Sequence, residues 1–333
     1  MSPFIGIILK IVSGLSFTLM STGARWLSVS HENTPNYPVG QVVFFRSFIA
    51  MLVVFAWLGF YGQLRHVMRT SNFLGHVKRG LVGSGGMFFG FAALFYLPLP
   101  DATAINYVIP LLTVVLAALL LKEQVGVYRW GAVGFGMIGV AIMLWPYFYA
   151  GNSSATHTAS YHLGAVFGLI AALFSAFAMI EVRKLTLSEK TGTIVFYFSA
   201  LTTFLSAITY VVGLIGPEFA GLKFAGFKLA DLKLAWLMPN MLDLSVLILV
   251  GFFGGIGQIT LTESYRNAEP SVIAPFDYLN LIWALLIGWV LFNDMPDISL
   301  VFGAIIVIAA GMIIILRERY LGLKRCREKE IVP

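Results

Sequence analysis

The segment 101–123, DATAINYVIPLLTVVLAALLLKE, decides the fold, because a degenerate copy of it returns at 269–294, EPSVIAPFDYLNLIWALLIGWVLFND. In both copies an acidic residue and small residues precede a long apolar segment, and an acidic residue closes it. A Tyr and a Pro fall in the first half of each copy, Tyr107 with Pro110 and Tyr278 with Pro275. A glycine-punctuated apolar segment follows each copy. Internal repetition of this kind is typical of membrane transporters.

The composition excludes a soluble globular protein. The 333 residues are 59% hydrophobic and only 11% charged, with a mean hydropathy of +0.86. Soluble domains carry about a quarter charged residues. The single cysteine, Cys326, excludes a disulfide framework. The chain therefore belongs in a lipid bilayer.

Ten apolar windows are long enough to cross a hydrocarbon layer about 30 Å thick. They are 4–27, 39–60, 80–97, 102–121, 129–148, 162–182, 192–214, 244–265, 271–292 and 298–316. An even number of spans predicts both termini on one side of the membrane.

Basic residues predict which side that is. The loops and tail on the side of the termini hold 16 Lys and Arg residues, among them Lys78, Arg79 and the basic tail 317–333, against 3 on the other side. Short cytoplasmic loops are enriched in Lys and Arg, so both termini are predicted to be cytoplasmic. The net charge of +6 is then explained by topology, and no nucleic-acid partner is expected.

Five spans in each half is an odd number, so the second half must insert with opposite polarity. The predicted fold is an all-α membrane protein with ten transmembrane helices as a 5+5 inverted repeat. The first repeat is 1–150 and the second is 151–333. The second contains an extracytoplasmic insertion, 216–243, where aromatic and aliphatic residues interleave with lysines. For this insertion we expect an amphipathic helix, whole or partial, in the headgroup layer, with an irregular loop as the alternative.

Several motifs together resemble the ten-span EamA-type class of the drug/metabolite transporter superfamily. They are FFRSFIAML with Arg46, LPLPDATAI, YVIPLL and LLLKE in the first half, and ESYRNAEPSVIAPFDYL and FND in the second. Within that superfamily, SYRNAEPSVIAPFDY is similar to an AxRxAE…APxxY pattern of bacterial riboflavin or S-adenosylmethionine carriers, with Ser264 in place of the first Ala. The resemblance implies a carrier of a small metabolite in a bacterial inner membrane.

The candidate substrate-binding residues are the ionisable, amide and aromatic residues inside or near the spans. They are Arg46, Asn106, Tyr107, Gln258, Asp277, Tyr278, Asn280 and Trp283, with Asp277, Glu263 and Glu181 as candidates for coupling transport to an ion or proton. An ionisable group inside a span costs from about 3 to more than 10 kcal/mol unless it is paired or wet. Such groups therefore mark function, or a structural pair.

Each charged candidate also has a structural interpretation. Arg46 either holds an anionic group of the substrate, or it snorkels outward or pairs within the bundle. Glu181 lies beside Lys184 at a span edge, and Glu263 has Arg266 three residues on. Asp277 has no basic neighbour in sequence, so we expect it to face water, to pair with a distant residue such as Arg46, or to be protonated. With Asn280 three residues on, it is predicted to share one helical face.

The sequence shows no motif for metal binding, phosphate binding or catalysis. The five histidines, His76 among them, are scattered over predicted loops and a span end, GSGG at 83–86 lacks the Lys that a phosphate loop needs, and no catalytic motif is present. We expect no cofactor, no metal and no catalytic residue. The expected partners are a small-molecule substrate and membrane lipid, and association into a homodimer is left open.

The sequence thus predicts a secondary carrier that works by alternating access, with a metabolite cavity near the midplane. An aromatic-rich cavity with few charges would suit an amphipathic or planar molecule, such as riboflavin, S-adenosylmethionine or an aromatic amino-acid-like compound. The alternatives are a membrane-embedded enzyme acting on a lipid-type substrate and a passive channel. A central cavity that borders both repeats would favour the carrier.

Overall fold

A computed structural model describes residues 3–28, 37–60, 70–120, 127–149, 155–186, 188–215, 223–224, 227–228, 236–268, 273, 276–277, 279–294 and 296–331. Eleven helices form the described chain. They are α1 (Pro3–Ser28), α2 (Val39–Phe60), α3 (Phe73–Tyr96), α4 (Leu99–Ile105), α5 (Val108–Leu120), α6 (Val127–Tyr149), α7 (Ala155–Leu185), α8 (Thr191–Ile215), α9 (Met241–Asn267), α10 (Leu279–Phe292) and α11 (Ile298–Ile331).

Within the described residues, the predicted spans fall on helices except at Leu97 and at the turns 106–107 and 276–277. Within the described ranges, six helical segments are long and apolar enough to cross a membrane: Phe4–Ser28, Val39–Phe60, Leu99–Leu120, Tyr161–Val182, Thr191–Leu214 and Met241–Asn267. Three shorter apolar helices are Trp130–Pro146, Leu279–Phe292 and Ile298–Ile313. The prediction of an all-helical membrane protein therefore holds.

The first copy of the repeated segment is an interrupted helix, as the prolines in the corresponding segments of the two halves indicate from the sequence. In the first copy, Asn106 and Tyr107 form a turn between α4 and α5. Proline has no N–H, so Pro110 cannot donate to the carbonyl four residues earlier. That carbonyl, on Asn106, accepts instead from the N–H of Ile109 at 3.0 Å. In the second copy, 276–277 form a 3₁₀ turn before α10.

Helices from the two halves of the chain pack on one another throughout the bundle. α1 packs on α9 and α10, α2 on α8 and α9, and α3 on α7 and α8, while α4 contacts α10 and α5 contacts α7. α6 packs on α11, and they cross where Gly139 meets Gly303. A Cβ on either glycine would lie within 3 Å of the other's carbonyl oxygen. Only glycine permits so close an approach of two helix backbones.

The insertion 216–243 is described only in part. Lys223–Phe224 and Phe227–Lys228 form a two-stranded antiparallel pair (β1 and β2), whereas 216–222, 225–226 and 229–235, on which most of the expected helix would fall, lie outside the described residues. Residues 241–243 are the first turn of α9. Arg79, which was assigned to a loop, lies on α3 and is buried, because that helix begins at Phe73 and not near residue 80.

Candidate functional site

A cavity of about 230 Å³ lies between α1, α3, α4 and α7. The first three helices belong to the first half of the chain and α7 to the second. Its polar lining residues include Ser21, Thr103, Asn106 and Ser175, and its apolar ones include Met20, Met87, Phe91 and Leu94. In the described part of the chain Phe91 is the one aromatic residue of this lining, so the expectation of an aromatic-rich cavity is wrong.

A buried ion pair links α1 to the turn before α10. Lys10 is 3% exposed, and its Nζ lies 2.8 Å from Oδ1 of Asp277, whose side chain is 40% exposed. The ammonium group also lies 3.5 Å from the hydroxyl of Tyr265 and over its ring. Asp277 therefore has a basic partner distant in sequence, which was one of the three alternatives expected, and that partner is Lys10 and not Arg46.

The turn between α4 and α5 meets the turn before α10 beside this ion pair. Tyr107, in the turn between α4 and α5, donates its hydroxyl to the backbone carbonyl of Asp277 at 3.2 Å. A turn in one half of the chain thus holds the corresponding turn of the other half. Asp277 lies in a 3₁₀ turn and Asn280 at the start of α10, and both side chains meet α1, Asp277 at Lys10 and Asn280 at Gly14.

Arg46 lies elsewhere, beside a second buried arginine. Arg46 on α2 is 2% exposed and Arg79 on α3 is 8% exposed. Their guanidinium carbons lie 5.7 Å and 4.2 Å from the ring centre of Phe198 on α8. Nε and Nη1 of both arginines have no hydrogen-bond partner in the described chain. We call Arg46 and Arg79 the arginine pair.

The arginine pair is next to the cavity. Gly83 lines the cavity, and a Cβ there would collide with Nη1 of Arg79. Met20 lines it too, and Sδ of Met20 and Nε of Arg46 lie 3.1 Å and 3.0 Å from the position of a Cβ on Gly254. The two guanidinium groups therefore lie beside the cavity wall.

The remaining predicted site residues lie apart from this cavity. Oδ1 of Asn280 packs against Gly14 of α1, and Nε1 of Trp283 is buried with no hydrogen-bond partner among the described residues. Gln258 is half-buried on α9. Tyr278 lies outside the described residues.

The two other acidic candidates have local partners. Glu181 accepts from Lys184 at 2.7 Å, and Glu263 accepts from Arg266 at 3.3 Å. Both basic partners are about half exposed or more, so these pairs lie at the rim of the bundle. Surface pairs of this kind contribute about 0–1 kcal/mol.

Sequence reasoning missed Lys10 and Arg79 as site residues. Lys10 was visible as a charge within the first apolar span, and the cost of burying it was a usable signal. Arg79 was hidden because it precedes the apolar window 80–97 and is adjacent to the exposed Lys78. The length of α3 could not be read from hydropathy alone.

One further polar cluster lies outside the membrane spans, between α7 and α8. Oε1 of Glu189 accepts from the hydroxyls of Thr70 and Ser71 at 2.7 Å and 3.0 Å and from the N–H groups of Ser71 and Asn72 at 2.8 Å and 3.2 Å. Burial raises the pKa of the Glu189 carboxyl, but these hydrogen bonds outweigh it and hold the pKa below its ordinary value of 4.5. His76 lies in this cluster on α3, not in a loop as predicted.

Together the fold and site define a multi-pass helical membrane protein with a small cavity, lined by apolar and a few polar residues, between its halves. Residues 4–145 match the EamA-like transporter family. Residues 4–145 therefore form an EamA-family domain of the drug/metabolite transporter superfamily, which confirms the resemblance for the first half of the chain.

The chain is similar to several bacterial transporters over most of its length. It is 27% identical to an S-adenosylmethionine uptake transporter of Rickettsia prowazekii, over 84% of this chain and 83% of that protein. It is 26% identical to a riboflavin transporter of Vibrio cholerae, over 92% and 91%. It is 22% identical to the pseudopaline exporter CntI of Pseudomonas aeruginosa, over 92% and 94%. These relatives are named as transporters, not as enzymes.

A solved crystal structure has the same fold. It superposes with a TM-score of 0.62 at 17% sequence identity, covering 95% of this chain and 98% of that chain. At this identity the likeness concerns the fold alone.

Proposed function

We propose that this protein is a secondary active transporter that moves a small organic metabolite across the bacterial inner membrane by alternating access. The observation that carries the proposal is the cavity, which is bordered by α1, α3 and α4 of the first half and α7 of the second. Substrate sites of transporters with inverted repeats lie between the repeats. A lipid-processing enzyme would instead need a lateral groove ending at carboxylates.

The packing of the helices supports a 5+5 inverted repeat. With α4 and α5 taken as one interrupted pass, each half has five passes. The first pass of each half packs on the third and fourth of the other, and the second packs on the second and third. The two fifth passes, α6 and α11, pack on each other. This pattern is unchanged when the halves are exchanged, as a two-fold relation requires.

The Lys10–Asp277 pair is the proposed coupling element. Lys10 is buried in the bundle, whereas Asp277 is partly exposed. Protonation of Asp277 would release Lys10 and loosen the joint between α1 and the turn before α10. The hydrogen bond from Tyr107 to Asp277 would pass this change to the turn that carries Asn106, which lines the cavity.

The names of the relatives provide the candidate transport directions and substrates. The relatives are named for uptake and for export, and their named substrates are S-adenosylmethionine, riboflavin and pseudopaline. The cavity of about 230 Å³ is smaller than the usual 300–1,000 Å³ of ligand pockets, so it must enlarge to admit molecules of that size. Both termini are proposed to be cytoplasmic.

The test is uptake and efflux by proteoliposomes containing the purified full-length protein. The panel contains riboflavin, S-adenosylmethionine and aromatic amino acids, each measured with and without a pH gradient. We expect saturable transport of one class, and a pH gradient that changes its rate in the wild type but not in Asp277→Asn. Arg266→Gln, at the rim, is the matched control and should retain both.

Two results would contradict the proposal. If Asp277→Asn leaves both rate and pH dependence intact, the coupling assignment is wrong. Rates that rise linearly with concentration without saturation would indicate a channel, and labelling that places the two termini on opposite sides would contradict the inverted repeat.

A further inference from the structure

The arginine pair consists of two buried cations without a counter-charge. In the described part of the chain no carboxylate oxygen lies within 4 Å of Arg46 or Arg79, whereas Lys10 has Asp277 at 2.8 Å. The two arginines are also close enough to repel each other. A membrane protein keeps buried charges of like sign together mainly where a ligand of opposite sign binds.

The geometry points to a ligand with a planar or tetrahedral group of oxygens. A guanidinium group presents several N–H donors in a rigid fork that matches a carboxylate or phosphate. Here Nε and Nη1, one donor from each of the two edges of the fork, have no partner on either arginine in the described part of the chain. Both guanidinium groups lie over the ring of Phe198, which fixes their position by cation–π contact but satisfies no N–H donor.

The cavity provides the route and the space. Met20, Gly83 and Met87 line it, and each touches the surroundings of the arginine pair. Gly83 would collide with Arg79 if it had a side chain, and Met87 contacts the hydroxyl of Ser47, the residue after Arg46, at 3.8 Å. An anionic group on a molecule in the cavity would therefore face the arginine pair across residues with little or flexible bulk.

We propose that Arg46 and Arg79 bind the carboxylate or phosphate group of the transported molecule, whose uncharged part occupies the cavity. This rests on the proposed function, because it assigns the substrate class of the same cavity. Arg46 lies on α2, Arg79 on α3 and Phe198 on α8 of the other half. An anion held by the pair would thus neutralise a repulsion at the boundary between the halves.

The experiment measures equilibrium binding to the full-length protein in neutral detergent without anionic lipid. The probes are benzoate, phenyl phosphate, inorganic phosphate and glutamate, with benzamide as the uncharged counterpart of benzoate. Binding is measured by isothermal calorimetry and by the shift in unfolding temperature. We expect at least one anion to bind and benzamide not to bind.

The variants assign the binding to the arginine pair. Arg46→Met and Arg79→Met should each weaken anion binding about 10- to 100-fold, the range for hydrogen bonds to a charged group. Arg46→Lys should retain part of the affinity because the charge remains. Arg266→Gln, a rim arginine already paired with Glu263, should bind like the wild type.

The outcomes separate this proposal from others. Benzamide binding as well as benzoate, unchanged binding in both Met variants, or no binding of any anion would overturn it. Loss of the folded state in the Met variants would also overturn it, because the arginines would then be structural. Anionic phosphatidylglycerol that competes with the soluble anions, and alone shifts the wild-type unfolding temperature, would identify a lipid headgroup as the ligand and overturn the substrate assignment.

The binding experiment and the transport experiment test the two proposals separately. Anion binding that depends on the arginine pair, in a protein that transports nothing in proteoliposomes, would support the anion site while contradicting the carrier. Saturable transport that is unaffected by Arg46→Met and Arg79→Met would support the carrier while contradicting the anion site.

Discussion

The Lys10–Asp277 pair and the arginine pair differ in how the charge of a buried cation is compensated. All three cations are buried on helices of the first half, at 3%, 2% and 8% exposure. Lys10 is neutralised by a carboxylate of the protein at 2.8 Å, whereas Arg46 and Arg79 lie over one aromatic ring and have no carboxylate within 4 Å among the described residues. A cation paired within the protein can serve as a joint, and a cation left unpaired is available to a ligand.

The largest expected effect comes from breaking the paired site. Asp277→Asn leaves Lys10 buried without its carboxylate, and losing one partner of a fully buried pair costs about 3–5 kcal/mol. Because Asp277 is 40% exposed, we expect a smaller loss, about 1–3 kcal/mol. Thermal unfolding in detergent measures it as a lower unfolding temperature.

The control for that prediction is the double variant. Lys10→Met in the Asp277→Asn background removes the orphaned cation, so it should recover most of the lost stability. If the double variant unfolds at the same temperature as Asp277→Asn alone, the pair contributes nothing and the comparison between the two sites fails.

Removing a charge from the arginine pair should have the opposite effect on the unfolding temperature. Arg79→Met replaces an uncompensated buried charge with an apolar side chain of similar length, and such exchanges are often neutral or stabilising by about 1–4 kcal/mol. Without added anion, we expect an unfolding temperature equal to or above that of the wild type. A clear decrease would show that Arg79 has a structural counter-charge.

A steric change tests the arginine pair without removing charge. Gly83→Ala adds a Cβ that would collide with Nη1 of Arg79 and lie 2.8 Å from Cε2 of Phe198. The guanidinium group must move, so we expect anion affinity to fall by about threefold to tenfold, or about 0.7–1.4 kcal/mol. Calorimetric titration with the anion that binds the wild type measures this.

Gly134→Ala on α6 is the matched control, because its Cβ would meet nothing within 4 Å. Both substitutions carry the same gain in helix propensity, about 1 kcal/mol, which cancels in the comparison. Equal affinities in the two variants would show that the position of Arg79 does not matter for binding.

Features that depend on residues close together in the sequence could be predicted. In the described part of the chain, hydropathy placed most residues of the predicted spans on helices, because burial in lipid requires a long apolar segment whatever the helix contacts. The repeated segment was also found from sequence, and its prolines indicated the interruption that the turn at Asn106 and Tyr107 now shows. The hydropathy of a span and the prolines of the repeated segment can each be read within one segment of about 25 residues.

Contacts between distant residues could not be predicted. Lys10 and Asp277 are 267 positions apart, and Arg79 meets Phe198 only because α3 packs on α8. Hydropathy assigns a buried arginine near a helix start to a loop, since it averages over neighbours such as the exposed Lys78. The candidate site was therefore predicted in part, with Asp277 and Arg46 recognised and the partners of both missed.

A smaller effect is expected at the joint between the interrupted helices. Tyr107→Phe removes the hydroxyl that donates to the carbonyl of Asp277 at 3.2 Å, a bond of the type that contributes about 0.5–1.5 kcal/mol. We expect a slightly lower unfolding temperature and a weaker effect of pH on transport. A pH dependence identical to the wild type would separate this hydrogen bond from coupling.

The smallest effect concerns Glu189, a charge satisfied by hydrogen bonds and not by a cation or a ligand. Its pKa is depressed in the folded protein, so its contribution is present above the ordinary value of 4.5 and is lost as the pH falls through the folded value. Glu189→Gln keeps an acceptor oxygen for Ser71 and Asn72 but removes the charge. We expect the difference in unfolding temperature from the wild type to be modest at pH 7 and to vanish as the pH falls below the folded pKa.

Asp277→Asn provides the contrast for that titration. Its cost arises from a cation that stays buried, so in the Lys10→Met background the Asp277→Asn substitution should have little effect at any pH, whereas Glu189→Gln should have the same effect in both backgrounds. Glu189 receives its bonds from Thr70, Ser71 and Asn72, which Lys10 does not touch. A Glu189→Gln effect that depended on Lys10 would mean that the two charge sites are coupled across the bundle, and the separation of paired, unpaired and hydrogen-bonded charges would have to be abandoned.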